Sequence, residues 1–368
     1  ELAAMLDIDP LALRRHNASV DGDERPWGGR FGSIGNVAVI EAMQAHPHYK
    51  SELQGPNRGR GVSLGYWGNA GMETSAAAAV NADGSVSLIT GSVDIGGSRA
   101  AHAMMLAEAL GIAAEDVRPR VVDTDSVGYN GLTAGSSRTF QGGWAMHELG
   151  QAIRRQMVER AAKIWECNLE AVSYGDDGDI RGPAGPDGTP RANGNRELAA
   201  RQHRTGGTIE VGANTARQSV GAAFGGHIVD VEVDRETGKV KILRYTAFQD
   251  VGTAIHPAYV EGQIQGGAAQ GIGMALSEEY DYDANGRLRN ASFLDYRLPT
   301  TLDVPMIDAV LIEVPNPGHP YGVRGVGEVC IVPPLAAIQA AIAEAIGVHF
   351  TSLPISPRVI VEALHGEE

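Results

Sequence analysis

Apolar and polar residues alternate in short runs, and these runs are separated by longer stretches with helical spacing. The alternation predicts strands over Gly61–Trp67, Val117–Val122 and Asp308–Val314. It also predicts two hairpins: Ala76–Asn81 with Ser85–Gly91 across Ala82-Asp83-Gly84, and Ile228–Val233 with Val240–Gln249 across Asp234–Gly238. A further hairpin is expected at Asp283–Gly286. Helical spacing appears in Ala100–Leu110, which stops at Gly111, and in a long segment after residue 143 that runs to about Asn168. It appears again in the glycine-rich Tyr259–Glu278, and a last helix is expected after Pro333-Pro334. At the start, Leu2, Met5, Leu6, Ile8, Leu11 and Leu13 share a rough helical spacing, so 1–55 reads as helical pieces around the loop Pro26–Gly29. Residues 171–206 are turn-rich and read as an exposed insertion. Helices and hairpins mixed in this order predict an α+β fold. A strand, a glycine loop and a helix recur at 87–110 and 243–278, the mark of a distant internal duplication.

Composition narrows the chemistry. Lys plus Arg number 30 against 45 Asp plus Glu, for a net charge of −15, which argues against a nucleic-acid partner. No unbroken apolar run approaches the ~20 residues of a membrane helix. Only two cysteines are present, Cys167 and Cys330, so this chain by itself holds no iron–sulfur cluster and no four-cysteine zinc site. Forty-eight of its 368 residues are glycine, well above the usual share of about 7%. The glycines cluster beside polar residues, as where backbone approaches a ligand. The chain opens at Glu1 in the middle of an apolar pattern, so a fragment, a processed chain or one piece of a split subunit is expected.

Four segments have the composition of a site. Gly91–Ser98 places a glycine turn between a strand and a helix start, where backbone N–H groups suit an anion; a plain tight turn is the bland alternative. Thr133–Thr139 sets small hydroxyl residues before a long helix, either a second anion cradle or an ordinary N-cap. Glu261–Gly271 holds Gln263 and Gln270 two turns apart among glycines that each cost ~1 kcal/mol in a helix. Ligand approach and close helix packing both account for them. Gly322–Cys330 frames one carboxylate, Glu328, with three glycines and apolar neighbours, which suits a general base if buried and is otherwise a surface glutamate.

Together and in this order, these segments resemble the molybdopterin-binding subunit of the xanthine dehydrogenase/aldehyde oxidase family, the molybdenum hydroxylases. The likeness covers roughly 5–365 and is poorest over 170–206. It implies the C-terminal half of the subunit: 1–55 as the end of the first molybdopterin-binding unit and a linker, and 56–368 as the second molybdopterin-binding domain. The latter would hold two mixed α/β subdomains, 56–170 and 207–350, with 171–206 inserted. Glu328 would be the general base. Gly96, Gly97, Ala134, Gly135, Ser136 and Gln263 would hold the cofactor, and Tyr66 and Trp67 would flank a flat substrate. No protein metal ligand is implied. Two departures stand out: Gly96-Gly97-Ser98 where the family has Gly-Gln-Gly, and Val329-Cys330 where it has prolines. Inert packing is expected for Cys330.

The resemblance implies oxidative hydroxylation of an aldehyde or an N-heterocyclic or aromatic carbon, with water as oxygen source. The cofactor would be molybdenum–molybdopterin, alone or as its cytosine dinucleotide, with Fe–S clusters and FAD in partner chains. The partners implied are the N-terminal half of the subunit, an Fe–S subunit and an FAD subunit. A non-catalytic scaffold half and a carbon monoxide dehydrogenase large subunit are the alternatives. A cytoplasmic location is expected, with the periplasm as the other setting found in the family.

Overall fold

Residues 1–69, 71–216 and 222–366 are described by a computed structural model. They form two compact units. The first comprises Glu1–Gly68, Gly221–Pro315 and Val326–Glu368; the second comprises Asn69–Val220 and Asn316–Gly325. Both are discontinuous, unlike the continuous subdomains 56–170 and 207–350 expected from the sequence. The reason is long-range pairing: strand Arg58–Gly68 runs antiparallel to Ala222–Val233, with Gly65 opposite Gly225 and Tyr66 opposite Phe224.

In the first unit, Ala222–Val233 and Val240–Asp250 form the expected hairpin, and Ile307–Ile312 adds in parallel beside Val240–Asp250. The parallel strand is reached through helix Pro257–Leu276. In Ala222–Val233, alternate residues face opposite layers. Val229, Val231 and Val233 pack with Ile264, Ile338 and Ile342 from helices 257–276 and 333–346. Ile228 packs with Phe248, Val39, Ile40 and Met43, the last three from helix Asn36–Ala45. Each buried branched side chain contributes on the order of 1.5–3 kcal/mol.

Helix Pro333–Ile346 lies directly on strand Arg58–Gly68, and glycine makes this approach feasible. A Cβ on Gly61 would stand 1.8 Å from Ala337 O, and one on Gly59 would stand 2.1 Å from Ala341 O. Gly59 and Gly61 are two apart, so both turn the same bare face to the helix. From Val329 to Ile346 the chain is helical, long and apolar enough to cross a membrane, although the sequence reading expects no such run. Over half of it is buried, and Ala337, Ile338, Ala341 and Ile342 are sealed in the core of the first unit. A final helix, Pro357–His365, follows the one expected to be last.

The second unit repeats the plan of the first. Strands Thr74–Val80 and Val86–Thr90 form the expected hairpin, helix Ser98–Leu110 crosses over, and Val117–Val121 pairs in parallel with Val86–Thr90. Ile209–Thr215 pairs antiparallel with Thr74–Val80, as Arg58–Gly68 does with Ala222–Val233 in the first unit. The strand–glycine loop–helix recurrence in the sequence is thus a shared sheet topology. Helix Arg138–Trp165 packs on helix Ser98–Leu110, and Gly150 meets Ala109 at their contact.

Three sequence expectations change. Residues 171–206 are not simply exposed: Ser173–Tyr174, Asp179–Gly182 and Arg191–Gly194 form a small antiparallel sheet. Ile180, Leu198 and Ala199 are buried there, which the turn composition conceals. The hairpin expected at Asp283–Gly286 reduces to a single bridge between Tyr282 and Leu288. The first seventeen residues split into Leu2–Met5 and Pro10–His16, and of their apolar set Leu11 is the one buried. Leu2, Met5, Leu6 and Ile8 face solvent.

Candidate functional site

Glu328 ends the glycine loop at the point where a 3-10 turn, Val329–Ile331, leads into helix Pro333–Ile346. It is half-buried. Two buried side chains of the first unit hold its backbone. Gln249, sealed at the end of strand Val240–Asp250, donates Nε2–H to Val326 O at 3.1 Å. Cys330 is fully buried, with Sγ 3.4 Å from Gln263 O and 3.5 Å from Val326 O and Gly327 O. Burial pushes this thiol up to about 12, so it stays protonated and inert. Through Cys330 the Glu328 loop is fastened to the helix that carries Gln263.

That helix explains its glycines in two ways. A Cβ on Gly267 would stand 2.2 Å from Cys330 Sγ, one on Gly271 would meet Pro334, and one on Gly273 would meet Pro299 and Glu278. These three glycines serve packing. Gly262 and Gly266 meet nothing within 4 Å and leave a bare face next to the half-buried Gln263. Gln270 is exposed. Tyr66 belongs to an aromatic cluster with Trp27 at 5.3 Å, Phe224 at 5.3 Å and Phe31 at 6.3 Å between ring centroids. Its neighbour Trp67 is half-buried, with an indole N–H that has no partner.

Elsewhere in the first unit, Thr246, His48 and Asp230 line up like a nucleophile, a base and an acid. Thr246 Oγ1 and Asp230 Oδ2 lie 2.8 and 3.1 Å from the His48 ring nitrogens. All three are sealed, and Arg60 clamps Asp230 at 2.7 and 2.9 Å. With no access for a substrate, this cluster is part of the core.

The second unit contains both segments that the sequence leaves open as anion cradles or plain turns. In the first, Gly96 and Gly97 both take the left-handed conformation, with φ of 59° and 78°, and Gly97 caps helix Ser98–Leu110. Asp94 accepts from Arg99 N at 3.1 Å and pairs with its guanidinium, so one carboxylate already faces this helix start. In the second, Gly135 and Ser136 are left-handed, with φ of 63° and 57°, and lead into the 28-residue helix Arg138–Trp165. Gly325 closes against this turn: a Cβ there would stand 2.3 Å from Ser136 O.

Sequence reasoning passed over several polar residues here. Asn69 is 2% exposed, and neither amide atom has a hydrogen-bond partner. Its Oδ1 would be 2.9 Å from the same Cβ on Gly325, so it borders the Ser136 turn. Arg138 is 5% exposed and spans both cradles, reaching Ser92 Oγ at 3.4 Å and Leu132 O at 2.9 Å. His102 approaches Arg138 O at 3.2 Å, with Nδ1 buried and unpartnered. An arginine inside a run of Ser, Thr and Gly was the available signal for this group. Among the described residues, no group of three His, Cys, Asp or Glu side chains is placed to hold a metal.

His319 closes the loop Asn316–Gly325 onto helix Arg138–Trp165. Its Nε2–H donates to Phe140 O at 2.9 Å, and Nδ1 accepts from Tyr321 N at 3.2 Å. Both bonds suit the neutral ring, and a proton on Nδ1 would oppose the Tyr321 N–H. Burial holds its pKa down to about 4. A His depressed below its unfolded value of ~6.5 contributes stability that is complete above that pH and lost as pH falls towards 4. Urea unfolding should therefore show stability falling between pH 6.5 and 4, with about 3 kcal/mol as the upper bound for this group. His319→Gln should flatten that dependence, and an unchanged slope would contradict the assignment.

The family model of the molybdopterin cofactor-binding domain matches residues 38–305. This chain belongs to that family. Like the xanthine dehydrogenase and aldehyde oxidase subunits, it is a molybdopterin-binding domain of the molybdenum hydroxylase type, with an α+β fold. It is 30% identical over 385 residues to the xanthine dehydrogenase molybdenum-binding subunit of Escherichia coli O157:H7, covering 99% of this chain and 51% of that protein. It is 32% identical over 396 residues to the 6-hydroxypseudooxynicotine dehydrogenase complex subunit gamma of Paenarthrobacter nicotinovorans, covering 99% and 49%. Among solved structures, quinoline 2-oxidoreductase from Pseudomonas putida 86 superposes with a TM-score of 0.86 at 25% identity, over 100% of this chain and 50% of that one. The molybdopterin domain thus spans about half the length of the relatives it matches.

The residues present fit such a cofactor. Molybdopterin carries a phosphate, and the second unit offers two left-handed glycine turns at helix starts and an orphaned, buried Asn69 amide beside one of them. In the first unit, the bare face at Gly262 and Gly266 gives room for a flat group near Gln263.

Proposed function

We propose that the molybdopterin domain is the C-terminal half of the large subunit of a molybdenum hydroxylase. The reaction is oxidative hydroxylation of an aldehyde or N-heterocyclic carbon, with oxygen taken from water. The observation that carries this reading is the placement of Glu328: one half-buried carboxylate on a backbone held by Gln249 and Cys330. Molybdenum–molybdopterin, when bound, supplies the two-electron acceptor. Glu328 accepts, at its carboxylate oxygen, the proton that the water-derived nucleophile loses as it attacks the electron-poor carbon. In the second unit, Gly96, Gly97, Ala134, Gly135 and Ser136 hold the cofactor's anionic end; in the first, Gln263 contacts the cofactor. Tyr66 and Trp67 present ring faces to a planar substrate.

Relatives named for xanthine, for 6-hydroxypseudooxynicotine and for quinoline support a nitrogen heterocycle as substrate. The partners proposed are the remaining half of the subunit, an Fe–S subunit and an FAD subunit. Segment 280–306 supports the first of these. Phe293, Leu294, Leu302 and Met306 are each more than 85% exposed, far more apolar surface than a free-standing protein usually leaves in one stretch. A cytoplasmic complex is the setting proposed.

Turnover of a heterocycle or aldehyde in heavy-oxygen water tests the reaction. The product should carry the label. Label entering from dioxygen in place of water would sink this reading.

A further inference from the structure

Beneath the Glu328 turn, two buried polar atoms on neighbouring strands have no hydrogen-bond partner among the described residues. The first is Nε2 of His227, a sealed residue on strand Ala222–Val233. The other ring nitrogen, Nδ1, lies 2.7 Å from Tyr245 Oη. The second atom is Oε1 of Gln249, equally sealed at the end of strand Val240–Asp250. The Gln249 Nε2–H already donates to Val326 O at 3.1 Å. A buried, unsatisfied polar atom costs about 1–3 kcal/mol, so two side by side are a liability that a core seldom keeps.

The strand register brings both atoms to one small space. Gly225 pairs with Gln249, and His227 pairs with Ala247, so all four residues share one face of the sheet. The turn after Glu328 packs on that face: a Cβ on Gly225 would stand 3.5 Å from Val329 Cγ2. His227 and Gln249 occupy one diagonal of the group, where Cα atoms lie about 7–8 Å apart. Glycine and alanine occupy the other and leave room between the polar pair. The two side chains do not bond each other. Burial pushes the His227 pKa down to about 3, so the ring is neutral. A water molecule in this space donates to Gln249 Oε1. At His227 Nε2 it can accept or donate, so it suits either neutral tautomer.

We propose that this space is a buried water site, and that the file Tyr245–His227–water–Gln249–Val326 makes His227 and Gln249 positioning residues for Glu328. A buried water needs two to four polar partners, and these two side chains supply the first pair. The water fixes which way the Gln249 amide faces. The amide in turn fixes the Val326 carbonyl, two residues before Glu328. The consequence for turnover rests on the function proposed above; the water site does not.

A crystal structure of the complex containing this chain, at a resolution that shows ordered water, tests the site directly. One water within about 3.2 Å of both His227 Nε2 and Gln249 Oε1 is expected. A direct bond between the two side chains, or a space without water, would overturn the proposal. Urea unfolding of the full chain adds a double-mutant cycle. His227→Asn keeps an amide near the Nδ1 position for Tyr245 and removes the Nε2 end. Gln249→Met keeps the length and removes the amide. Each should lower the folding equilibrium constant by about tenfold, because it leaves the water short of a partner. The two effects should be coupled by at least about fivefold. Additive effects would count against the bridge, and if a variant fails to fold, the crystal structure decides.

Turnover of the complex tests the positioning role. Both variants should lower kcat by about tenfold or more, with KM and molybdenum content unchanged. His227→Gln, whose amide can reach the Nε2 position, should recover most of the loss. Molybdenum content that falls in step with kcat would make the two residues structural and overturn the role. A wild-type complex that hydroxylates nothing refutes the proposed function instead, and the water site is then judged by the crystal structure and the cycle.

Discussion

Glu328→Gln should abolish turnover and leave molybdenum content unchanged. Glutamine has nearly the same shape as glutamate and can occupy the same half-buried position, but it cannot take up a proton at neutral pH. Removing a general base typically costs 10²- to 10⁴-fold in rate. The backbone at 326–330 is held by Gln249 and by the buried Cys330 thiol, neither of which depends on the Glu328 charge. The variant should therefore remain folded and loaded. Near-normal turnover would assign Glu328 a surface role. Loss of metal together with activity would make it a structural residue.

Gly61→Val should unfold the first unit or destabilise it by at least about 3 kcal/mol, the upper part of the range for overpacked cores. The reason is backbone against backbone. Any Cβ at this position falls 1.8 Å from Ala337 O and 2.6 Å from Ala341 N, and neither can rotate away as a side chain would. Helix Pro333–Ile346 would have to lift from strand Arg58–Gly68, opening the layer that buries Ile338 and Ile342. The 3-10 turn behind Glu328 is continuous with that helix, so any folded fraction should also lose turnover. By contrast, Gly262→Ala meets nothing within 4 Å and should leave stability unchanged or slightly raised, since alanine favours helix. Equal denaturation midpoints for Gly61→Val and wild type would contradict the close approach described here.

The contrast between these glycines shows how far the sequence can be read. The segments with local signals stood out: the hairpin across Ala82-Asp83-Gly84, the helix stop at Gly111, and the glycine turns at 96–97 and 135. What stayed hidden depends on distant partners. Nothing in Arg58–Gly68 announces that it pairs with a strand more than 150 residues later, so the discontinuous units were missed. The helical pattern over Leu2–Ile8 promised a buried face that the first unit does not provide, and those side chains remain exposed. Within Pro257–Leu276 the glycines looked alike, yet Gly267, Gly271 and Gly273 answer to Cys330, Pro334 and Pro299, residues far along the chain. The glycine loop around Glu328 was legible because glycines framing one carboxylate are a local feature. Asn69 was not, because an orphaned amide shows only once its surroundings are known, and the one signal for Arg138 was its place in a run of Ser, Thr and Gly.

Molybdenum and pterin analysis of the natively purified complex containing this chain is the most direct test of the account. Stoichiometric molybdenum with pterin, alongside iron and flavin in companion chains, is the predicted result. A complete, active-site-intact complex that contains neither molybdenum nor pterin would contradict it.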